Sequence, residues 1–262
     1  MISMVETALQ GVGVAELRMA LDQVAFARKV GLVPDRWQES FLRSEHPRKI
    51  LNCSRQSGKS TMAGLVALHQ VVYHPGSLVL CLSPSLRQSS ELFRKALEFY
   101  RALDRPVPPE SETKLSLYLE NGSRLISLPG TEAKIRGYSN VSLLIADEAS
   151  RIEDELYYSV RPMLAVSGGS LIMMSTPWGR RGVFYETRER GEGWERYTVP
   201  ASNVPRISKV FLEEERRALG PWFFEQEYFC KFLDTIDQVF RTEDIEAALD
   251  SNVKPLFGGT AA

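Results

Sequence analysis

ILNCSRQSGKST, residues Ile50 to Thr61, is an apolar strand that runs into a loop ending with Gly58, Lys59 and Ser60. In such a loop the backbone N–H groups wrap the phosphates of a nucleotide, the lysine reaches the β- and γ-phosphates, and the following hydroxyl holds Mg²⁺. The next helix presents its positive N-terminal end to the same anion. The stretch therefore predicts a strand, loop and helix that bind a nucleoside triphosphate and Mg²⁺.

The loop departs from the full pattern GxxxxGK[ST] at one position, where Cys53 stands in place of the first glycine. On this segment alone, an ordinary turn at Gly58 with a solvated Lys59 stays open as an alternative. If the loop does bind phosphate, we expect the nucleotide to be held by Ser54, Arg55, Gln56, Ser57, Gly58, Lys59, Ser60 and Thr61.

A second segment, VSLLIADEAS from Val141 to Ser150, is an apolar run that ends in Asp147 and Glu148. The run predicts a buried parallel strand, whose carboxyl end would lie beside the phosphate loop. Successive side chains of a strand point to opposite sides, so the two carboxylates can divide the work. We expect Asp147 to hold Mg²⁺ with Ser60, and Glu148 to activate the attacking water. The alternative is a pair of acidic residues that merely begins a helix.

A third segment, SLIMMSTP from Ser170 to Pro177, is apolar until two hydroxyl residues at its end. It predicts another strand of the same sheet, with Ser175 and Thr176 close to the γ-phosphate, where they could sense its presence. The alternative is that these residues only begin a turn that Pro177 enforces.

These segments, in this order, resemble the N-terminal ATPase domain of the large terminase subunit, the motor that packages DNA into tailed-phage heads. The resemblance covers most of the chain. The family often lacks the first glycine and carries an arginine in the loop, so Cys53 and Arg55 fit it. The matching motifs are WQ at Trp37 and Gln38, SRQSGKS at Ser54 to Ser60, IRG at Ile135 to Gly137, LLIADEAS at Leu143 to Ser150, and STPWG at Ser175 to Gly179.

The resemblance implies an ATPase that uses ATP and Mg²⁺ to drive double-stranded DNA into the procapsid. It also implies a homo-oligomeric ring, a pentamer in the family, with the portal protein and the small terminase subunit as partners. Action would be in the host cytoplasm, without a membrane. Gln38 would read the adenine edge, whereas we expect Trp37 to be a core residue. Lys59 and Glu148 would be catalytic.

Arg136 is the candidate for a catalytic arginine supplied by the neighbouring subunit of the ring. It lies in a glycine-containing turn, EAKIRGYSN, which we expect to be exposed. Such an arginine stabilises the charge that develops on the transferred phosphate. The alternatives are a solvated arginine or one that contacts DNA. Arg55, inside the loop, could instead act on the phosphates of its own subunit.

Alternation of strands and helices predicts an α/β fold with a mainly parallel sheet flanked by helices. The resemblance narrows this to a P-loop NTPase of the additional-strand, catalytic-glutamate type. Leu115 to Leu128 predicts an added hairpin that turns at Asn121 and Gly122. We also expect one amphipathic helix over Val14 to Val30, and two helices near Lys209 to Leu219 and Pro221 to Phe232.

The expected domains are a P-loop ATPase core over 1–200 and a small C-terminal subdomain or linker over 201–262. In relatives that linker leads to a nuclease domain of the ribonuclease H type, which needs clustered carboxylates for two metal ions. After Phe240 only 22 residues remain (262 − 240 = 22), with Glu243, Asp244, Glu246 and Asp250 among them, which is too short a stretch for such a domain. We therefore expect an ATPase fragment without nuclease activity.

The composition argues against several kinds of site and against a membrane protein. Basic and acidic residues number 32 and 33, for a formal charge of −1, so DNA binding needs a local patch or the assembled ring. Three scattered cysteines argue against zinc and against a disulfide framework. No signal peptide or membrane span is predicted. A candidate DNA patch, which could equally be a solvated helix face, consists of Arg180, Arg181, Arg188 and Arg190.

Two other functions compete with the packaging motor. A helicase-like or other nucleic-acid-dependent P-loop ATPase would share the phosphate loop and the acidic pair, but would usually carry a second motor-like domain. A nucleotide-dependent interaction module would bind ATP without useful turnover. Glu148 argues against such a module, which has no need of a second carboxylate.

Overall fold

The computed structural model describes residues 13–130, 137–234 and 248. Within them the strands are β1 (Arg48–Cys53), β2 (Leu78–Ser83), β3 (Pro109–Glu112), β4 (Ser116–Leu119), β5 (Arg124–Pro129), β6 (Leu143–Asp147), β7 (Ser170–Ser175) and β8 (Glu195–Val199). The α-helices are α1 (Val14–Leu21), α2 (Gln23–Lys29), α3 (Arg36–Arg43), α4 (Lys59–Tyr73), α5 (Leu86–Ala102), α6 (Asp154–Val160), α7 (Gly182–Arg190) and α8 (Lys209–Phe229).

The strands form one mixed, mostly parallel sheet in the order β3-β4-β5-β2-β6-β7-β1-β8. From β5 to β8 all neighbours are parallel, and β3 and β4 are added antiparallel at one edge. The α/β class with an added hairpin, predicted from the sequence, is confirmed. β7 lies between β1, which carries the phosphate loop, and β6, which carries the acidic pair.

Helices cover both faces of the sheet because its central strands are apolar on both sides. One core packs α2, α3, α4 and α5 against one face, and a second core packs α6 and α7 against the other. Along β6, Leu143 and Ile145 belong to the first core, whereas Leu144 and Ala146 belong to the second. Asp147 therefore continues the row that faces α4, the helix of the phosphate loop.

The single helix expected over Val14 to Val30 is instead two helices. Asp22 between them has an extended backbone with φ −131° and ψ 103°, and its carboxylate accepts a hydrogen bond from the Val24 N–H at 2.9 Å. Aspartate favours such a cap over a helix interior, because its short side chain bonds the exposed N–H groups of the next helix.

The two C-terminal helices expected from the sequence form α8, which kinks at Gly220, where φ is 72° and ψ 165°. Glycine tolerates this left-handed φ, and Pro221 then begins the second half, where a missing N–H costs nothing. The helix ends at Phe229, three residues earlier than the expected Phe232. No helix in the described ranges has both the length and the apolar composition to cross a membrane.

Candidate active site

The phosphate loop connects β1 to α4 at the carboxyl end of the parallel strands. Gly58, just before α4, has a left-handed backbone with φ +93°. A Cβ at this position would lie 2.8 Å from Nε2 of Gln38. The left-handed backbone therefore favours glycine here, and a Cβ would also displace the end of the Gln38 side chain.

The backbone N–H groups of the loop fall into two sets. Those of Ser54 and Arg55 are used within the chain, donating to the carbonyls of Val199 at 2.9 Å and Glu227 at 3.0 Å. Those of residues 56–60 donate to no acceptor in the described part of the chain. These five consecutive donors lie at the N-terminal end of α4, which is where an anion is stabilised.

Lys59, the first residue of α4, is buried beside the acidic pair. Its Nζ lies 2.9 Å from Oε1 of Glu148, and the two side chains are 9% and 19% exposed. Burial lowers the pKa of Lys59, but the Glu148 and Asp147 carboxylates outweigh it, so the pKa is raised above its ordinary value. The ammonium group is therefore charged and neutralised by Glu148.

Asp147 is buried at 4% exposure, with its carboxylate close to the Ser60 hydroxyl. Burial raises its pKa, with Lys59 and the Ser60 hydroxyl acting in the opposite direction. The sequence placed Ser60 and Asp147 together as a metal pair, and the structure brings them into contact. A hydroxyl and a carboxylate are donors that suit Mg²⁺.

Glu148 departs from strand alternation. Its backbone is left-handed, with φ 53° and ψ 43°, and its N–H donates to Oδ1 of Asp147 at 3.1 Å. A non-glycine residue in this conformation is strained and has to be held by its surroundings. The turn lets Glu148 reach Lys59, although a regular strand would have sent its side chain to the opposite face from Asp147.

Ser175 and Thr176, at the end of β7, are buried next to this turn. The Ser175 hydroxyl donates to Oε2 of Glu148 at 3.2 Å, so each carboxylate oxygen of Glu148 has its own partner. Ser150 links the two strand ends, since its hydroxyl lies 2.6 Å from that of Ser175 and donates to the Thr176 carbonyl at 2.9 Å.

A cavity of about 800 Å³ opens over these groups. Glu148 is the one carboxylate in its lining, against five basic side chains, so the cavity suits a polyanion. Ser54, Gln38, Asp147 and Ser175 lie outside the lining. The lining residues are Arg55, Gln56, Ser57, Gly58, Lys59, Ser60, Thr61, Gln88, Lys95, Glu148, Arg151, Thr176 and Arg206.

Gln38 has its amide engaged within the chain. Its Oε1 accepts from the Asp35 N–H at 2.9 Å, closing the cap of α3, and its Nε2 contacts the Ser57 carbonyl at 3.5 Å. The adenine-reading role stays a prediction, and it requires the amide to exchange these partners. Trp37 is partly buried against the core, as expected.

Arg55 is held by the second half of α8. Its guanidinium pairs with the Glu227 carboxylate, and the hydrogen bond to Glu227 raises the pKa of Arg55 further. Asn52 donates to the Cys230 carbonyl at 2.8 Å, which fixes the end of the same helix. The C-terminal segment therefore packs directly on the phosphate loop. Arg136, the other candidate arginine, lies outside the described residues.

Sequence reasoning missed four residues that line the cavity: Gln88, Lys95, Arg151 and Arg206. Gln88 and Lys95 are two helical turns apart on α5 and share a face, which helical spacing could have shown. Arg151 follows the acidic pair closely. Arg206 had no local signal, since its contacts are with distant segments.

Arg206 links the phosphate loop to the N-terminal cap of α3. It donates to Oδ2 of Asp35 at 2.6 Å and to the Ser57 carbonyl at 2.9 Å. The Ser57 carbonyl thus meets both Arg206 and Gln38, from two segments far apart in the sequence. Both contacts use the Ser57 carbonyl and not its N–H group.

The basic group after β7 is largely engaged within the chain. Arg180 donates to the Phe232 carbonyl at 3.3 Å, Arg188 donates to Thr198 at 2.9 Å, and Arg190 lies 3.8 Å from Glu186. Such internal pairing weakens the case for a DNA-binding patch here.

The described residues contain no cluster of three or more metal-binding side chains of the histidine, cysteine or acidic type. Mg²⁺ commonly needs only one or two protein carboxylates, with water and substrate phosphates as its other ligands. The three cysteines are free and buried. Burial raises the pKa of Cys53, in the first-glycine position, to about 12.

Comparison with known proteins gives a consistent result. A family model described as terminase large subunit, T4likevirus-type, N-terminal, matches residues 50–247, more than half of the chain. The large terminase subunit of Thermus phage G20c is 24% identical over 254 residues, which cover 89% of this chain and 52% of that protein. The chain thus spans about half the length of this relative.

Solved structures show the same fold. The large terminase ATPase domain of Thermus phage P74-26 superposes with a TM-score of 0.71 at 22% identity, over 79% of this chain and 97% of that one. The large terminase of bacteriophage D6E in complex with ADP gives a TM-score of 0.58 at 10% identity, over 84% and 53% of the two chains. The D6E protein has also been solved with ATP-gamma-S.

Proposed function

The chain belongs to the family of large terminase subunits, as an N-terminal ATPase domain, and from this premise we propose that it hydrolyses ATP to drive double-stranded DNA into a procapsid. One observation carries the proposal: buried Lys59 lies 2.9 Å from half-buried Glu148, next to five N–H groups without acceptors in the described part of the chain. A cation, a carboxylate and a row of N–H donors for an anion are the parts that phosphoryl transfer requires.

The loop and the start of α4 would bind the phosphates of ATP. The unpaired N–H groups of residues 56–60 receive the phosphate oxygens, and the N-terminal end of α4 adds its positive dipole. Lys59 reaches the β- and γ-phosphates. Gly58, with φ +93°, has no Cβ, so its backbone can approach a phosphate closely.

Ser60 and Asp147 would hold Mg²⁺, since their hydroxyl and carboxylate are already in contact. The ion would supply charge neutralisation on the β- and γ-phosphates. Asp147 is buried with a raised pKa, so the neighbouring Lys59 helps to keep it in the ionised form that a cation prefers.

Glu148 accepts the proton of the attacking water. As that proton leaves, the oxygen attacks the γ-phosphorus and the bond to the bridging oxygen breaks, giving ADP and inorganic phosphate. Glu148 pairs with Lys59, and phosphates that draw Lys59 away would release the carboxylate for this task. Ser175, which donates to Oε2 of Glu148, and Thr176, which lines the cavity, respond to the γ-phosphate.

The proposed site also needs an arginine that stabilises the charge developing on the transferred phosphate. We assign this role to Arg136, supplied by the neighbouring subunit of a ring, with Arg55 as the alternative within the subunit. Arg55 is held by Glu227, so it would first have to leave that ion pair to reach the phosphates. The ring, its expected pentameric state, the portal protein, the small terminase subunit and the host cytoplasm belong to this proposal.

The proposed class is a P-loop NTPase of the additional-strand, catalytic-glutamate type. The position of β7 between β1 and β6 supports it, because the class is defined by such an extra strand.

We further propose an ATPase core over 1–200 and a small subdomain over 201–262. Contacts of α8 with Asn52 and Arg55 support a subdomain that responds to the state of the loop.

Steady-state phosphate release from ATP, with and without double-stranded DNA, tests the proposal. We expect slow release that DNA or subunit assembly accelerates, and strongly reduced release from Glu148→Gln. Strand displacement on forked DNA would favour a helicase-like or other nucleic-acid-dependent ATPase. Nucleotide binding without any release would favour an interaction module instead.

A further inference from the structure

Five basic side chains line the cavity, and three of them are already neutralised. Lys59 pairs with Glu148 at 2.9 Å, Arg206 pairs with Asp35 at 2.6 Å, and Arg55 pairs with Glu227. An anion that binds any of these cations has to compete with a carboxylate. Arg151 and Lys95 form no ion pair with any residue that the structure describes, so they meet an incoming anion without this competition.

Arg151 is also fixed to the catalytic turn. Its N–H donates to the Glu148 carbonyl at 2.9 Å, in the short 3₁₀ helix 149–151 that follows β6. Ser150, immediately before it, is bonded to the end of β7 through the Thr176 carbonyl at 2.9 Å. Arg151 therefore lies at the end of the cavity where Glu148 and Thr176 face the terminal phosphate.

The guanidinium of Arg151 lies over the ring of Trp178, with 3.9 Å between its central carbon and the ring centroid. A cation over an aromatic face is attracted by the ring, and this attraction does not use up the hydrogen-bond donors of the guanidinium. Trp178 thus holds the group in place while leaving its hydrogen-bond donors available. This fork suits a phosphate oxygen pair.

We propose that Arg151 binds the terminal phosphate of a nucleoside triphosphate held by its own subunit, and that Trp178 is the positioning residue that holds Arg151 for this contact. The inference rests on the proposed function of the cavity and extends it. It makes the site selective for triphosphate over diphosphate without help from a neighbouring subunit.

Equilibrium titration with ATP-gamma-S and with ADP tests the inference on five variants besides the wild type. They are Arg151→Ala, Arg151→Lys, Trp178→Ala, Trp178→Phe and the control Arg190→Ala. Arg190 is a matched control because it is an exposed arginine on α7, away from the cavity lining. Protein concentrations are kept where sedimentation shows a monomer, so that no neighbour contributes.

We expect Arg151→Ala to weaken ATP-gamma-S binding by about tenfold or more, since a charge-assisted hydrogen bond is lost, and to change ADP binding by less than about twofold. Arg151→Lys should recover part of the loss, because the charge remains but the fork does not. Trp178→Ala should lower the preference for ATP-gamma-S, and Trp178→Phe should restore it. Arg190→Ala should match the wild type.

Equal loss of ATP-gamma-S and ADP affinity in Arg151→Ala, or no loss of either, would overturn the inference. So would a variant that binds both normally and loses only its DNA-stimulated turnover, because Arg151 would then contact DNA. If Arg151→Ala does not fold, Arg151→Lys and the Trp178 pair still decide the matter. Failure of the wild type to bind either nucleotide would instead refute the proposed function.

Discussion

Replacement of Glu148 by glutamine removes one charge of the partly buried Lys59–Glu148 ion pair. Glutamine keeps the shape of the side chain and can still meet Ser175, but it carries no charge for Lys59 and cannot accept the proton of water. We expect phosphate release to fall by about 10² to 10⁴, the usual contribution of a general base. Nucleotide binding should survive, because Lys59 and the loop remain intact.

The structure also predicts the sign of the change in affinity. At 2.9 Å and an effective dielectric constant of 20, the attraction between Lys59 and Glu148 is about 6 kcal/mol, most of it offset by the cost of burying both charges. If about 1 kcal/mol of net coupling is lost when phosphates take Lys59, the variant should bind ATP-gamma-S about fivefold more tightly than the wild type.

Three measurements on the same preparations check this reasoning: titration with ATP-gamma-S, phosphate release from ATP, and denaturant unfolding without nucleotide. The unfolding experiment should show a loss of about 1 to 3 kcal/mol, the cost of leaving the Lys59 ammonium without its hydrogen-bonding partner. Near-normal turnover by Glu148→Gln would refute the role of this carboxylate. Affinity reduced tenfold or more would refute the competition between Glu148 and phosphate for Lys59.

Three further predictions concern Lys59, Arg136 and His69. Lys59→Ala should abolish hydrolysis and also weaken nucleotide binding strongly, because this cation meets the phosphates in both the ground and transition states; retained ATP-gamma-S affinity by titration would contradict it. Arg136→Ala should bind nucleotide normally but lose turnover in the assembled ring, and mixing it with Glu148→Gln subunits should restore some phosphate release, since some interfaces then join an intact Glu148 to an intact Arg136. No recovery from two folded, assembling variants would place the catalytic arginine elsewhere, with Arg55 as the next candidate. Burial lowers the pKa of His69 to about 4, below the 6.5 of an unfolded chain, so the unfolded state takes up the proton first as the pH falls. Stability should therefore decrease by about 3 kcal/mol between pH 6.5 and 4, and His69→Gln, which keeps a donor for the Met19 carbonyl, should remove this part of the pH slope in denaturant unfolding; an unchanged slope would show that His69 is not its source.

Local features of the chain were readable from the sequence because they depend on neighbours in sequence. The apolar runs around Ile50, Ile145 and Met173 predicted parallel strands, and Asn121 with Gly122 predicted the hairpin that β4 and β5 form. Strand β3 was not predicted, since Pro109–Glu112 is short and polar and lacks an alternating pattern. Proline is tolerated in β3 because this strand lies at the edge of the sheet and forms ladder hydrogen bonds with only one neighbour, β4.

Site residues on strand ends were also predicted together, because parallel strands bring their carboxyl ends to one edge of the sheet. The sequence, however, put Asp147 and Glu148 on opposite sides of β6. The left-handed backbone of Glu148, with φ 53°, turns its carboxylate to Lys59 instead. Such a conformation is maintained by surrounding contacts, here with Lys59 and Ser175. It cannot be predicted from the glutamate residue alone.

By itself the sequence determined the fold class, the phosphate loop and the acidic pair, since each is set by hydrophobic pattern or by residues adjacent in the chain. Only the tertiary structure decided which charges meet. Glu148 neutralises Lys59, Glu227 of α8 holds Arg55, and Arg206 fastens the loop. These contacts join segments far apart in sequence, and their energies depend on distance and burial, which exist only once the chain has folded.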